Sequence, residues 1–182
     1  MLTLRRDVSA GFTLIEVIVV IAIAAILLSI AVPSFVSTTQ RFRTASEINS
    51  FAHDLQYART EAIKQGVSVS VCASADGATC LKANTWHTGW IVFADAAELL
   101  KVTKPADLLR IQPGWTNTDT LVADNAVFSF TFSRDGYTVG LPGTGTVTTT
   151  LHTTPLNSAA TQCLALIKTG RQEVLPVGPG CA

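Results

Sequence analysis

From Phe12 to Val32 the chain runs 21 residues with one charged side chain, Glu16. A helix of that length crosses a hydrocarbon core of roughly 30 Å, so this segment is expected to anchor the chain in a membrane when it is made. A secretory signal peptide carries its small-residue cleavage site beyond the apolar run. Here the small residue, Gly11, comes before it, behind a polar leader, residues 1–10, that carries Arg5 and Arg6. Glu16 also argues against a plain anchor, because an acidic residue costs about 2.5 to 3.5 kcal/mol at the bilayer centre and less near the interface. The two arginines flank the run on its amino-terminal side, which keeps that end cytoplasmic and sends the remainder outward.

The stretch Gly11-Phe12-Thr13-Leu14-Ile15-Glu16 resembles the class III signal of type IV pilins and type II secretion pseudopilins. The resemblance implies cleavage by a prepilin peptidase between Gly11 and Phe12, methylation of the new amino terminus at Phe12, and loss of the leader with Arg5 and Arg6. It also gives Glu16 the role of the carboxylate that meets a neighbouring subunit's charged amino terminus when the protein leaves the bilayer for a filament. The physical logic is that a carboxylate in lipid gains most from an ionic partner offered only after assembly. The implied location is the inner membrane, single-pass, with a periplasmic carboxy-terminal domain, and then a pilus or pseudopilus.

Four segments are expected: the leader 1–11, a membrane and filament-core helix 12–33, an amphipathic continuation 34–66, and a β-rich domain 67–182. Apolar residues recur at helical spacing through Phe35, Phe42, Ile48, Phe51, Leu55, Ala58 and Ala62, with Arg43, Glu47, Asp54 and Glu61 expected on other faces and Gly66 as the stop. One helix from Phe12 to Gln65 would be about 80 Å long, so its second half must pack against something outside the bilayer. Pro33 is expected to kink it or loosen a turn.

Beyond Gly66 the pattern changes to strands. Val67–Val71 alternates, Gly89–Phe93 contains Trp90, and Leu108–Ile111 and Val127–Phe132 follow, the last with Phe128, Phe130 and Phe132 on one face. Arg134-Asp135-Gly136 reads as a turn into Tyr137–Val139. Thr146–Leu151 follows a turn marked by Pro142, Gly143 and Gly145, and Cys163–Ile167 with Glu173–Val177 reads as a hairpin over Thr169-Gly170. Residues 99–124 have the weakest pattern. The class is therefore α+β, a long amino-terminal helix capped by an antiparallel sheet or small sandwich. The run Leu55–Ile63, then Val69–Cys72, Asp76-Gly77, Cys80, Trp86, Gly89–Phe93 and Gly170-Arg171 is similar to the GspH/FimT family of minor pilins and pseudopilins. That family implies major and minor pilins or pseudopilins as partners and a place at or near the tip.

All four cysteines, Cys72, Cys80, Cys163 and Cys181, lie in the exported part, where an oxidising compartment favours disulfides. Three connectivities are open. The local pairs Cys72 with Cys80 and Cys163 with Cys181 are favoured, because one closes a short loop and the other pins the terminus. A zinc site is the sharper alternative, but no paired C-x2-C occurs and His87 and His152 stand apart. No cofactor is expected.

Enzymatic motifs are missing: no G-x-S-x-G, H-E-x-x-H or C-x-x-C occurs, His53, His87 and His152 are scattered, and Gly140–Gly145 lacks the context of a phosphate cradle. Trp86, Trp90 and Trp115 are expected in packing. Some FimT proteins bind DNA through a carboxy-terminal G-R-x-R hairpin; here it reads Gly170-Arg171-Gln172-Glu173, with Lys168 ahead of it. Glu173 would repel phosphate where those relatives attract it. From Val67 onward seven basic residues face eight acidic ones. A DNA site would thus rest on a local patch of Lys168 and Arg171, to which Lys101, Lys104 and Arg110 are candidate additions. The function expected is a minor pilin of a type IV pilus. A type II secretion pseudopilin and a DNA receptor are the alternatives.

Overall fold

The computed structural model describes residues 12–175 and 181. The leader with Gly11, and Val177 in the expected last strand, lie outside them. The chain forms two compact units, Met1–Thr38 and Thr39–Ala182. Helix α1, Leu14–Gln65, is unbroken through Pro33 and contributes to both.

In the first unit every described side chain from Phe12 to Val32 is exposed. Such a surface suits lipid or other apolar helices and has no favourable contact with water.

In the second unit α1 supplies Ile48, Phe51, Leu55, Ala58 and Ala62 to one core. Two antiparallel sheets meet it there. The first orders as β3-β2-β1-β5-β6, built from β1 Val69–Ala73, β2 Gly89–Ala94, β3 Leu108–Pro113, β5 Ser129–Phe132 and β6 Thr138–Val139. The second orders as β4-β7-β8-β9, built from β4 Thr120–Ala123, β7 Thr146–His152, β8 Gln162–Ile167 and β9 Gln172–Leu175. Phe51 is central, edge-on to both Trp86 and Trp90 at 5.1 Å, while Trp86 stacks on Phe130 at 5.1 Å. A smaller apolar cluster of Cys72, Ile91 and Phe93, with Cys80, Val102 and Leu108, packs apart from this core.

Cys72 bonds Cys80 and Cys163 bonds Cys181. Inside the first loop Asp76 accepts from the Thr79 hydroxyl at 2.7 Å and from the N–H groups of Ala78 and Thr79 at 2.8 Å. Those donors favour its ionised form and hold its carboxyl well below the usual range. Gly66 ends α1 in the left-handed region at φ +68°, with its N–H on the Ala62 carbonyl.

Several expectations need correction. The first strand lies two residues later than its alternation suggests, and all five of its residues are buried. Val–Ser alternation mimics a half-solvated strand, yet Ser70 is inside, bonded to Asp95 and Thr131. β4 arose within the segment of weakest pattern. Phe42 is 73 % exposed, whereas Asp54 and Glu61 are 3 % and 8 % exposed. Helical geometry explains the acids: Asp54 follows Phe51 by three residues and precedes Ala58 by four, which puts it in the apolar stripe. Arg43 and Glu47 also face the domain.

Candidate functional site

Two regions carry the sequence's functional expectations. At the amino terminus of α1 the Thr13 hydroxyl accepts the Glu16 N–H at 3.3 Å, so Thr13 is the N-cap and Glu16 the third helical residue, the order of a capping box. A cap is worth about 1 kcal/mol, less than the 2.5 to 3.5 kcal/mol cost of a carboxylate at the bilayer centre. Capping alone does not account for Glu16 if it sits deep in lipid. Phe12 is exposed.

The second region is the β8–β9 hairpin. Its turn closes through the Gly170 N–H on the Ile167 carbonyl at 2.8 Å. Strand alternation sends Gln172 one way and Arg171 and Glu173 the other. Gln172 turns toward α1, where, with its amide assigned in the orientation that satisfies both groups, the nitrogen donates to the Ala52 carbonyl at 2.9 Å and the oxygen accepts the Gln56 N–H at 3.0 Å. Arg171 and Glu173 share the outer face and form an ion pair at 2.8 Å. Lys168 is exposed, its stem packed over Gly145. Arg59, which sequence reasoning missed, holds this turn against the β5–β6 turn by donating to the carbonyls of Gly136 at 2.9 Å and Thr169 at 3.3 Å.

The wider basic patch does not form. Arg110 lies on β3, at the opposite edge of the first sheet from β6, whose Thr138 N–H bonds the Lys168 carbonyl. Its guanidinium is engaged by Asp54 at 2.5 Å and stacks 4.5 Å from the Tyr57 ring centre. Asp54 also accepts the Trp90 indole N–H at 2.9 Å, so this buried carboxylate is fully partnered. Lys101 and Lys104 line a cleft with Asp95 and Asp107, apart from the hairpin residues. His53 is exposed but touches Arg110 at 3.0 Å.

The cysteines are paired, the His87 ring accepts the Leu121 N–H at 3.3 Å, and no metal-binding group of three or more occurs among the described residues. Trp86 and Trp90 are core residues, and Trp115 is half-buried with its ring edge-on to Trp90.

A further polar cluster ties α1 to two loops. Arg43 grips buried Asp119 with two bonds of 2.8 Å, the Thr154 N–H adds a third at 3.1 Å, Gln40 bonds Asn157, and Glu47 accepts from Asn117 at 2.6 Å. The second Glu47 oxygen is buried without a partner. Burial, with the Asp119 charge nearby, raises the Glu47 carboxyl above its ordinary range. The folded state therefore holds this proton more tightly than the unfolded chain. The ionised form costs stability above the folded-state value, and that cost disappears as pH falls below the unfolded value of about 4.3. Glu47→Gln is expected to raise the melting temperature at pH 7 modestly, by about 2 °C or less, because solvent screens a half-exposed carboxylate. Calorimetry at pH 7 and pH 4 checks it, since the gain should shrink at the lower pH.

Residues 47–170 match the family described as type II transport protein GspH. This chain belongs to the GspH family. Residues 6–32 of this GspH-family protein also match the prokaryotic N-terminal methylation motif. It is similar to two crystal structures of the type IV minor pilin FimU of Pseudomonas aeruginosa. One is 24% identical over 79% of this chain and 93% of that one, with a TM-score of 0.57; the other is 25% identical over 74% and 92%, with a TM-score of 0.54. No curated protein matches the chain at a significant level. The fold is that of type IV pilins, and the chain is a minor pilin or pseudopilin by family.

Proposed function

We propose that this protein is a minor subunit of a type IV pilus, cleaved after Gly11, methylated at Phe12, and drawn into the filament near its tip by Glu16. The observation that carries the reading is a single carboxylate at the first turn of an otherwise apolar span, in a chain whose solved relatives are described as type IV minor pilins. Its partners are the prepilin peptidase, the inner membrane and other pilins. The role is structural, and extension is powered elsewhere. Deleting the gene should remove most pilin that can be sheared from the cell surface, and complementation should restore it. Normal piliation would move the assignment to the type II secretion alternative, which the family's description favours and which exoprotein release would test.

DNA capture is the weaker reading, because Arg171 is neutralised by Glu173 and Lys168 remains as the free cation of the hairpin. Glu173→Arg is expected to strengthen binding of duplex DNA by the purified protein roughly tenfold at low salt, with the gain disappearing as salt rises. Gel retardation across a salt series checks this. Equal binding by the original protein would show that Glu173 does not mask the site.

A further inference from the structure

We draw no further inference here: the strongest candidate, the exposed and uncharged stripe along α1 in the second unit formed by Ser46, Asn49, Ser50, His53, Gln56 and Thr60, carries none because nothing in the structure shows what covers it.

Discussion

Glu16→Ala is expected to leave the protein inserted in the membrane and to lower its amount in sheared filaments by at least tenfold. Insertion should be easier, because the substitution removes the one charge from the apolar run, a relief of up to about 2.5 to 3.5 kcal/mol on insertion scales. Incorporation should suffer because the neighbouring subunit's amino terminus would then be buried among apolar helices with no counter-charge. Removing one partner of a buried ion pair costs roughly 3–5 kcal/mol, and about 1.4 kcal/mol is already tenfold. Glu16→Gln separates this effect from capping, since the Thr13 hydroxyl bonds the Glu16 backbone N–H and glutamine preserves that bond and the side-chain shape. If both variants incorporate normally while cleavage and methylation proceed, the carboxylate has no part in assembly. Membrane fractionation together with quantitation of sheared filaments reads both halves of the result.

Gly170→Ala should be among the most destabilising single-methyl changes in the second unit. Gly170 has φ +76°, and a Cβ there would lie 2.3 Å from the Gly136 carbonyl oxygen and 2.9 Å from Arg59 Nε. Two turns from different sheets meet head-on at that point, and Arg59 bonds the same Gly136 oxygen at 2.9 Å. A methyl group must push the turns apart or expel Arg59, in addition to forcing alanine into the left-handed region. The combined cost is about 3 kcal/mol, or a fall of roughly 6–12 °C in melting temperature. Gly140→Ala is the built-in comparison. Gly140 has nearly the same φ, +72°, but nothing within 4 Å of an added Cβ, so only the backbone term of about 1 kcal/mol applies. Equal melting temperatures for the two variants would mean that the turns do not meet as described. The glycine of the hairpin motif thus has a packing reason to be there that is independent of any ligand.

The polar groups of the second unit divide by what holds them. Asp54, Asp119 and Asp95 are each nearly inaccessible, and each receives donors from residues distant in the chain: Trp90 and Arg110, Arg43 and Thr154, Ser70. Asp54 joins α1 to the first sheet, Asp119 joins α1 to the loops beside β4 and β7, and Asp95 ties β1 to the β2–β3 loop; being partnered, they cost little. Glu47 departs from that pattern, with one oxygen left bare.

The amino-acid sequence by itself determined the elements whose causes are local. The apolar run with Glu16, the helical repeat from Ile48 to Ala62, the stop at Gly66 and the turns at Arg134-Asp135-Gly136 and Thr169-Gly170 all express short-range preferences. Period, propensity and glycine's access to positive φ are readable residue by residue. The hairpin's charge character was legible too, because Arg171 and Glu173 are two residues apart on one strand. Tertiary structure alone decided what depends on segments far apart in the chain: that Asp54 points inward to Trp90, that Asn84 and His87 close β4, and that Gly170 abuts Gly136. A residue's neighbours across a sheet or on a facing helix arise from the folded path, and no local repeat encodes them. The same limit hid β4, whose four residues are held by β7 on one side and by side chains on the other, contacts made only once the chain has closed on itself.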